Sequence, residues 1–285
     1  MKKISVLMPA FNAGSTVAMA VESMLWQQVP AGCHYEVMVL DDGSSDDTLA
    51  IVQRIVEQNR YAQVRVLPHE VNLGIARSLN RLIEESDADY FVRMDADDIA
   101  LPGRVVAQVT VLEAGYDLVG TFAYNFGSMH GERRYSLDPL EHKILAIVDQ
   151  RSFCHPSIAF NRKVAQIGYR EQAAEDYRLL TDLLVAGLSL TNVPRPYLMY
   201  RVHAQSMSSS SDAARFARQR QAVCTTRTGY LRRLLGMEAD AAWACSIGIE
   251  NQIFRRSTAE DLAALDRLRA TVRSRLHVEV DFRRI

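Results

Sequence analysis

The chain has 285 residues, 48% of them hydrophobic and 24% charged, with 33 Lys plus Arg against 34 Asp plus Glu. This is globular composition, and the length suits one large domain or one domain with a small appendage. A formal net charge of −1 argues against a dedicated nucleic-acid binder, and no apolar run approaches the roughly 18 residues of a membrane span.

Residues 1–9 carry two lysines and a short apolar run, but Pro9, Asn12 and Gly14 end that run too soon for a signal peptide. Residues 4–8 read as a buried strand. Residues 16–28 have helical spacing through Val17, Val21, Met24 and Leu25. Residues 36–40 are a second strand closed by Asp41-Asp42-Gly43, and Ser45 to Asp47 can cap a helix running through Asn59. A strand at 64–67, a helix at 73–85 and a strand at 90–94 follow. Strands alternating with helices predict an α/β fold with a mostly parallel, Rossmann-like sheet and right-handed crossovers. Ligands of such sheets bind beyond the carboxyl ends of the strands. Those ends are polar here: Pro9-Ala10-Phe11-Asn12, Asp41-Asp42-Gly43 and Asp95-Ala96-Asp97-Asp98.

Further on, 117–126 reads as a strand, 139–149 as a helix and 156–160 as a strand. Residues 175–186 read as an amphipathic helix stopped by Gly187, and 192–200, with two prolines, as an extended edge segment. The character changes after residue 204. Residues 206–211 are serine-rich, and helical patterns cover 212–235 and 258–276. This tail holds fourteen Arg against nine Asp plus Glu, and a C-terminal helical extension is expected. The four cysteines, Cys33, Cys154, Cys224 and Cys245, show no CxxC spacing. Idle thiols in a reducing cytoplasm are the reading preferred to a zinc site built from Cys33-His34 and Cys154-His155.

Asp95, Asp97 and Asp98 crowd negative charge at a strand end, which a hard divalent cation relieves. Asp-x-Asp spacing on extended backbone puts two carboxylates on one side of the chain. A solvated turn whose aspartates cap the helix beginning near Leu101-Pro102 is the competing reading. Asp41-Asp42 is either a plain turn with an N-cap or part of the same site. Glu175-Asp176 is either dipole-favoured acid at a helix start or a catalytic base facing the metal. His203 stands on the last extended segment, where packing or surface exposure is the ordinary role of a lone histidine.

Taken in order, these segments resemble the family-2 nucleotide-sugar glycosyltransferases of the GT-A fold, over about residues 4–208. The resemblance rests on Ile4 to Asn12, the Ser-x-x-x-Gln helix within 23–28, Asp41-Asp-Gly-Ser-Ser-Asp-Asp-Thr48, Asn72-Leu-Gly74 through Asn80, and Arg93-Met-Asp-Ala-Asp-Asp98 with Pro102 and Arg104. Glu175-Asp176 and Tyr200-Arg201-x-His203 with Ser206 and Ser208 complete it. Departures are Ser78-Leu79-Asn80 in place of Ala-Arg-Asn, with Arg77 the nearest arginine, and Asp182 where the family often has arginine. The Gln-x-x-Arg-Trp of processive synthases is missing, which points to one sugar transferred per encounter.

The resemblance implies a catalytic domain over 1–208, with a nucleotide-binding half at 1–98 and an acceptor-side half at 99–208, and an extension over 209–285. It implies inverting transfer of one sugar from a nucleotide-sugar, a UDP-sugar by preference, to a glycan or lipid-linked acceptor in cell-surface polysaccharide synthesis. Asp176 would be the base, supported by Glu175. Asp95, Asp97 and His203 would hold Mn²⁺ or Mg²⁺, with Asp98 as ligand or sugar contact. Pro9, Ala10, Phe11, Asn12, Asp41, Asp42, Asn72, Gly74, Arg77, Arg93, Ala96 and Arg201 would line the donor site. Rival classes are a nucleotidylyltransferase, which would need a Gly- and Arg-rich loop after the first strand, and a non-catalytic scaffold. The enzyme is expected in the cytoplasm. Its tail either packs on the protein through Val223, Tyr230, Leu231, Leu234 and Leu235, with its arginines in water, or rests peripherally on the anionic inner face of the membrane.

Overall fold

The computed structural model describes residues 1–58, 63–148, 152–171, 173–203, 213–280 and 282, with backbone only for Ala213 and Arg215. Asn59, Asp149, Ser206, Ser208 and Asp212 of the expected elements lie outside these residues. The chain divides into two compact units.

The first unit takes in residues 1–139, 153–171 and 188–210. It holds strands β1 (Lys2–Ala10), β2 (Cys33–Asp41), β3 (Val64–Pro68), β4 (Tyr90–Arg93), β5 (Ile99–Ala100), β6 (Leu118–Gly127), β7 (Gly131–Arg133), β8 (Ala159–Asn161) and β9 (Leu190–Val202). These form one sheet in the order β3-β2-β1-β4-β8-β6-β9-β5, with β7 paired to β6. The β1–β2, β1–β4, β2–β3 and β6–β9 pairings are parallel; β8 runs antiparallel to β4 and β6. Helices α1 (Val17–Leu25), α2 (Thr48–Gln58), α3 (Ile75–Glu84), α4 (Arg104–Glu113) and α6 (Arg162–Ile167) belong to this unit. Its core is aliphatic. Ile4, Val6 and Met8 of β1 meet Val37 and Val39 of β2, Val92 of β4, and Val17, Val21 and Met24 of α1, all fully buried. Strands covered on both faces read as unbroken apolar runs, which is why β1, β2 and β4 were legible.

Two expectations need correction. The first strand does not stop at Pro9 but continues to Ala10. The β4 ladder ends at Leu7↔Arg93, so the N–H that proline lacks falls on a side with no partner strand left to pair. Residues 156–160 are not one strand. Pro156 sits in a 3₁₀ turn, His155–Ser157, and pairing resumes only at Ala159.

The second unit takes in residues 140–152, 172–187 and 211–285 and is helical: α5 (Pro139–Val148), α7 (Glu175–Val185), α8 (Ala213–Leu235), α9 (Ala239–Ile253) and α10 (Ala259–Leu276). Helix α9 was not foreseen. Val223, Tyr230, Leu231 and Leu235 of α8 are buried, so the apolar face of the tail is core and not a surface offered to a bilayer. Its arginines are not all in water either. Arg227 is buried against Glu250 at 3.3 Å, Arg220 reaches the same carboxylate at 2.9 Å, and Arg233 reaches Asp182 at 2.8 Å. Among the described residues no helix is long and apolar enough to cross a membrane.

Candidate active site

The register of the central strands gathers the polar strand ends on one edge of the sheet. Ala10 pairs with Asp41, the Asp42 N–H donates to the Ala10 carbonyl at 2.8 Å, and the Met94 N–H donates to the Leu7 carbonyl at 3.0 Å. The Asp41-Asp42 turn therefore flanks one side of the end of β1 and the Asp95–Asp98 segment begins on the other.

Asp41 is buried. One of its oxygens accepts from the Ser44 N–H at 3.3 Å, while Oδ1 has no hydrogen-bond partner among the described residues. Asp42 is committed to the protein. It accepts from the Leu73 N–H at 3.0 Å and the Gly74 N–H at 2.8 Å, and His69 Nδ1 lies 2.7 Å away. Burial pushes this carboxyl up, but the bonds from His69, Leu73 and Gly74 more than offset it, so it titrates below its ordinary value. Gly43, between this turn and the next, has φ +70 and packs so closely that a Cβ would sit 2.6 Å from the Val71 carbonyl carbon. The Asp-Asp-Gly and Asn-x-Gly segments are thus two halves of one packed turn. Asn12 adopts the left-handed φ of 48°, and its Oδ1 accepts from the Ser45 N–H at 2.9 Å. Pro9 and Ala10 line the strand end below it, and Phe11 is half exposed.

Asp95, Asp97 and Asp98 each offer one oxygen within 4.8 Å of the others; no other group of three or more such ligands occurs among the described residues, which disposes of the Cys33/Cys154 site. Arg93 Nη2 pairs with Asp95 Oδ1 at 2.6 Å. His203 Nε2 lies 3.2 Å from Asp97 Oδ2. The Arg201 N–H donates to Asp98 Oδ1 at 2.7 Å, and the Arg201 Nε donates to the Asp97 carbonyl, also at 2.7 Å. Asp98 is 1% exposed, with Oδ2 unpartnered among the described residues. Burial, then the charges of Asp95 and Asp97, push Asp98 well above the usual carboxylate range. Asp95 is raised as well, by burial, with Arg93 opposing. Hard oxygen donors this close, strained by mutual repulsion, suit a hard divalent cation.

The model of the family described as glycosyl transferase family 2 matches residues 5–168. The chain belongs to glycosyl transferase family 2. It is 30% identical over 173 residues to the Bacillus subtilis protein EpsE, named as a glycosyltransferase; the match spans 59% of this chain and 60% of that protein. It is 23% identical over 216 residues to WfaP of Escherichia coli, named as a UDP-Glc:α-D-GlcNAc-diphosphoundecaprenol β-1,3-glucosyltransferase, spanning 74% of this chain and 81% of that one. Among solved structures, S. aureus TarS 1–349 in complex with UDP-GlcNAc superposes with TM-score 0.66 over 96% of this chain and 82% of that chain at 16% identity. Glucosyl-3-phosphoglycerate synthase from Mycobacterium tuberculosis, in complex with Mn²⁺ and UDP, superposes with TM-score 0.55 over 81% of this chain and 80% of that chain at 21% identity. These likenesses show the GT-A fold.

In this family-2 chain several motif residues prove to be supports. Ser23 Oγ accepts from the Ala100 N–H at 3.0 Å, and Gln27 Nε2 donates to the Leu101 carbonyl at 3.0 Å, so α1 and the residues just past its end anchor the segment after the acidic triad. Arg104 is fully buried and donates Nη2 to the carbonyls of Arg93 at 2.6 Å and Pro156 at 2.9 Å. Burial lowers its pKa to about 10. Gln108, which the sequence did not single out, donates Nε2 to the carbonyls of Val119 and Ser157, both at 2.7 Å. Asn80 bonds the Tyr169 N–H and carbonyl, both at 2.8 Å. Of the expected donor contacts, Asn72 and Gly74 lie in the turn that Asp42 holds. Arg77 is exposed and paired with Glu171 at 2.6 Å, Arg201 lies 4.4 Å over the Phe126 ring, and Ala96 is buried within the triad segment. Glu175 and Asp176 open α7 in the helical unit. Glu175 is buried, and Asp176 Oδ1 accepts from the Tyr177 N–H at 2.7 Å. Asp182, the departure from the family pattern, receives Arg178 at 2.7 Å and Arg233 at 2.8 Å.

Proposed function

We propose that this chain is an inverting glycosyltransferase of bacterial polysaccharide synthesis. It moves one sugar from a nucleotide-sugar, UDP-sugar favoured, to a hydroxyl of a glycan or lipid-linked acceptor. The observation that carries the reading is the acidic triad with its unpartnered buried oxygen on Asp98, set on the same sheet edge as the unpartnered oxygen of Asp41, in a family-2 chain. Asp41 Oδ1 is an acceptor suited to a base N–H such as uracil N3–H. Asp97 and His203, already in contact, would hold Mn²⁺ or Mg²⁺ together with Asp95, with Asp98 as a further ligand or a sugar contact. When bound, that ion supplies positive charge against the diphosphate leaving group. Asp176 takes the proton from the attacking acceptor hydroxyl, and Glu175 beside it supports the acceptor. The Asp42 clamp keeps the 69–74 turn in place beside Asp41, so the nucleoside pocket is formed before the donor arrives.

Action in the cytoplasm, on an acceptor carried at the inner face of the membrane, belongs to the same proposal; Arg218 and Arg232 are exposed charges available to an anionic surface. A panel of nucleotide-sugars with Mn²⁺ tests the reading by release of nucleoside diphosphate, the sugar passing to water where no acceptor is supplied. A nucleotidylyltransferase would instead release pyrophosphate from a nucleoside triphosphate, and a scaffold would release neither.

A further inference from the structure

Strand β4 reads Tyr90-Phe91-Val92-Arg93 and lies between β1 and β8, where an aliphatic residue would pack best. An arginine there, 1% exposed, is costly unless its charge has a partner. Its Nη2 has one, Asp95 Oδ1 at 2.6 Å. Its Nε and Nη1 have no hydrogen-bond partner among the described residues. The strand fixes the backbone that carries the guanidinium, and Asp95 holds its Nη2. The Arg93 N–H donates to the Ile158 carbonyl at 2.9 Å, and its carbonyl accepts from Arg104 at 2.6 Å. The other nearby cations spend their bonds elsewhere: Arg104 on the carbonyls of Arg93 and Pro156, Arg201 on the carbonyl of Asp97. His155, which faces Tyr169 at 3.0 Å, is held neutral by burial and by Arg93's charge. The buried guanidinium makes its ion pair with Asp95.

We propose that Arg93 is a positioning residue, a built-in counter-cation that fixes Asp95 and holds down the affinity of the acidic triad for its divalent cation. The inference rests on the reading of Asp95, Asp97 and Asp98 as a metal site. Three carboxylates within 4.8 Å without a counter-charge would grip a divalent cation tightly and repel one another when it is gone. With Arg93 bonded to one of them, the metal-free site stays folded and the cation can arrive with a diphosphate and leave with it.

The test is the binding of Mn²⁺ alone, followed by titration calorimetry and by the paramagnetic resonance of free Mn²⁺, with melting temperature recorded with and without the ion. Removing one positive charge a few ångströms from a cation site strengthens binding by roughly tenfold or more. Arg93→Met should therefore tighten Mn²⁺, lower the melting temperature of the metal-free protein, and regain most of that loss when Mn²⁺ is added. Arg93→Lys keeps the charge and should stay within about threefold of wild type. Asp95→Asn should weaken Mn²⁺, because Arg93 then stands unbalanced. Adding Arg93→Met to Asp95→Asn should recover about tenfold or more of that loss, a rescue that a purely structural arginine would not produce. If Arg93→Met alone does not fold, this double variant, which lacks both charges of the pair, decides the question. Equal affinity in wild type and Arg93→Met, or no recovery in the double variant, overturns the proposal while wild-type binding upholds the metal site. A wild-type protein that binds no Mn²⁺ overturns the site reading itself.

Discussion

Replacing Asp42 should release the 69–74 turn. Its carboxylate satisfies two backbone donors, Leu73 N–H at 3.0 Å and Gly74 N–H at 2.8 Å, and meets His69 at 2.7 Å. Hydrogen bonds to a charged acceptor contribute about 1.5–3 kcal/mol each, and three that share one carboxylate are not additive. Asp42→Ala is therefore expected to cost about 3 kcal/mol locally, and Asp42→Asn, which keeps one acceptor, about half of that. Hydrogen exchange of the Leu73 and Gly74 amides reads the local term, since about 1.4 kcal/mol corresponds to a factor of ten in the opening equilibrium. Protection of both should fall by about a hundredfold in the alanine variant, with nucleotide-sugar affinity falling alongside. The pH dependence has a definite sign. The folded carboxyl titrates below its ordinary value because the bonds from His69, Leu73 and Gly74 outweigh burial. Its stabilisation is therefore complete above roughly pH 4 and is lost as pH falls through the depressed folded value. Wild-type protection of these two amides in Asp42→Ala would refute the clamp.

Asp176→Asn should keep nucleotide-sugar affinity and lose about 10²- to 10⁴-fold in turnover; affinity lost with turnover intact would make Asp176 a binding residue. Gly43→Ala should destabilise the protein by at least about 2 kcal/mol in urea unfolding, because φ is +70 and the new Cβ would lie 2.6 Å from Val71 backbone. Gln27→Leu removes the bond to the Leu101 carbonyl and should raise the KM for nucleotide-sugar several-fold, with a lower melting temperature because the buried partners of Gln27 lose a bond; an unchanged KM in the folded variant would leave Gln27 with a packing role alone.

The strands of the first unit were legible because a strand buried on both faces is an apolar run with polar ends, and β1, β2 and β4 are such runs. The acidic triad stood out for a related reason: like charges that crowd a strand end demand an explanation. Helix α9 was not legible because the residues it buries include Ala242, Cys245, Ser246, Gly248 and Glu250, which make no apolar stripe. Pro156 lies where residues 156–160 read as one strand, and only the bonds from Ser157 to Cys154 and from Ile158 to His155 show the 3₁₀ turn. The supports of the site were hidden by distance. Ser23 and Gln27 act on residues more than seventy positions away, and Gln108 ties together β6 and the 155–157 turn. No local pattern encodes such bonds. The tail arginines misled for the opposite reason. Charge spacing on α8 suggested a solvated face, whereas Glu250, twenty-three residues beyond Arg227, draws one of them into the interior.

The most direct test of the central claim is turnover of Asp97→Asn at saturating Mn²⁺, measured as nucleoside diphosphate released from the nucleotide-sugar that raises the wild-type melting temperature most. Asp97 is partly exposed beside His203, so the substitution should leave the melting temperature of the metal-free protein within about 2 °C of wild type. A neutral amide cannot hold the cation against water, and release should fall to background. Wild-type release by a folded Asp97→Asn protein would contradict the assignment of this triad as the metal site of a nucleotide-sugar transferase.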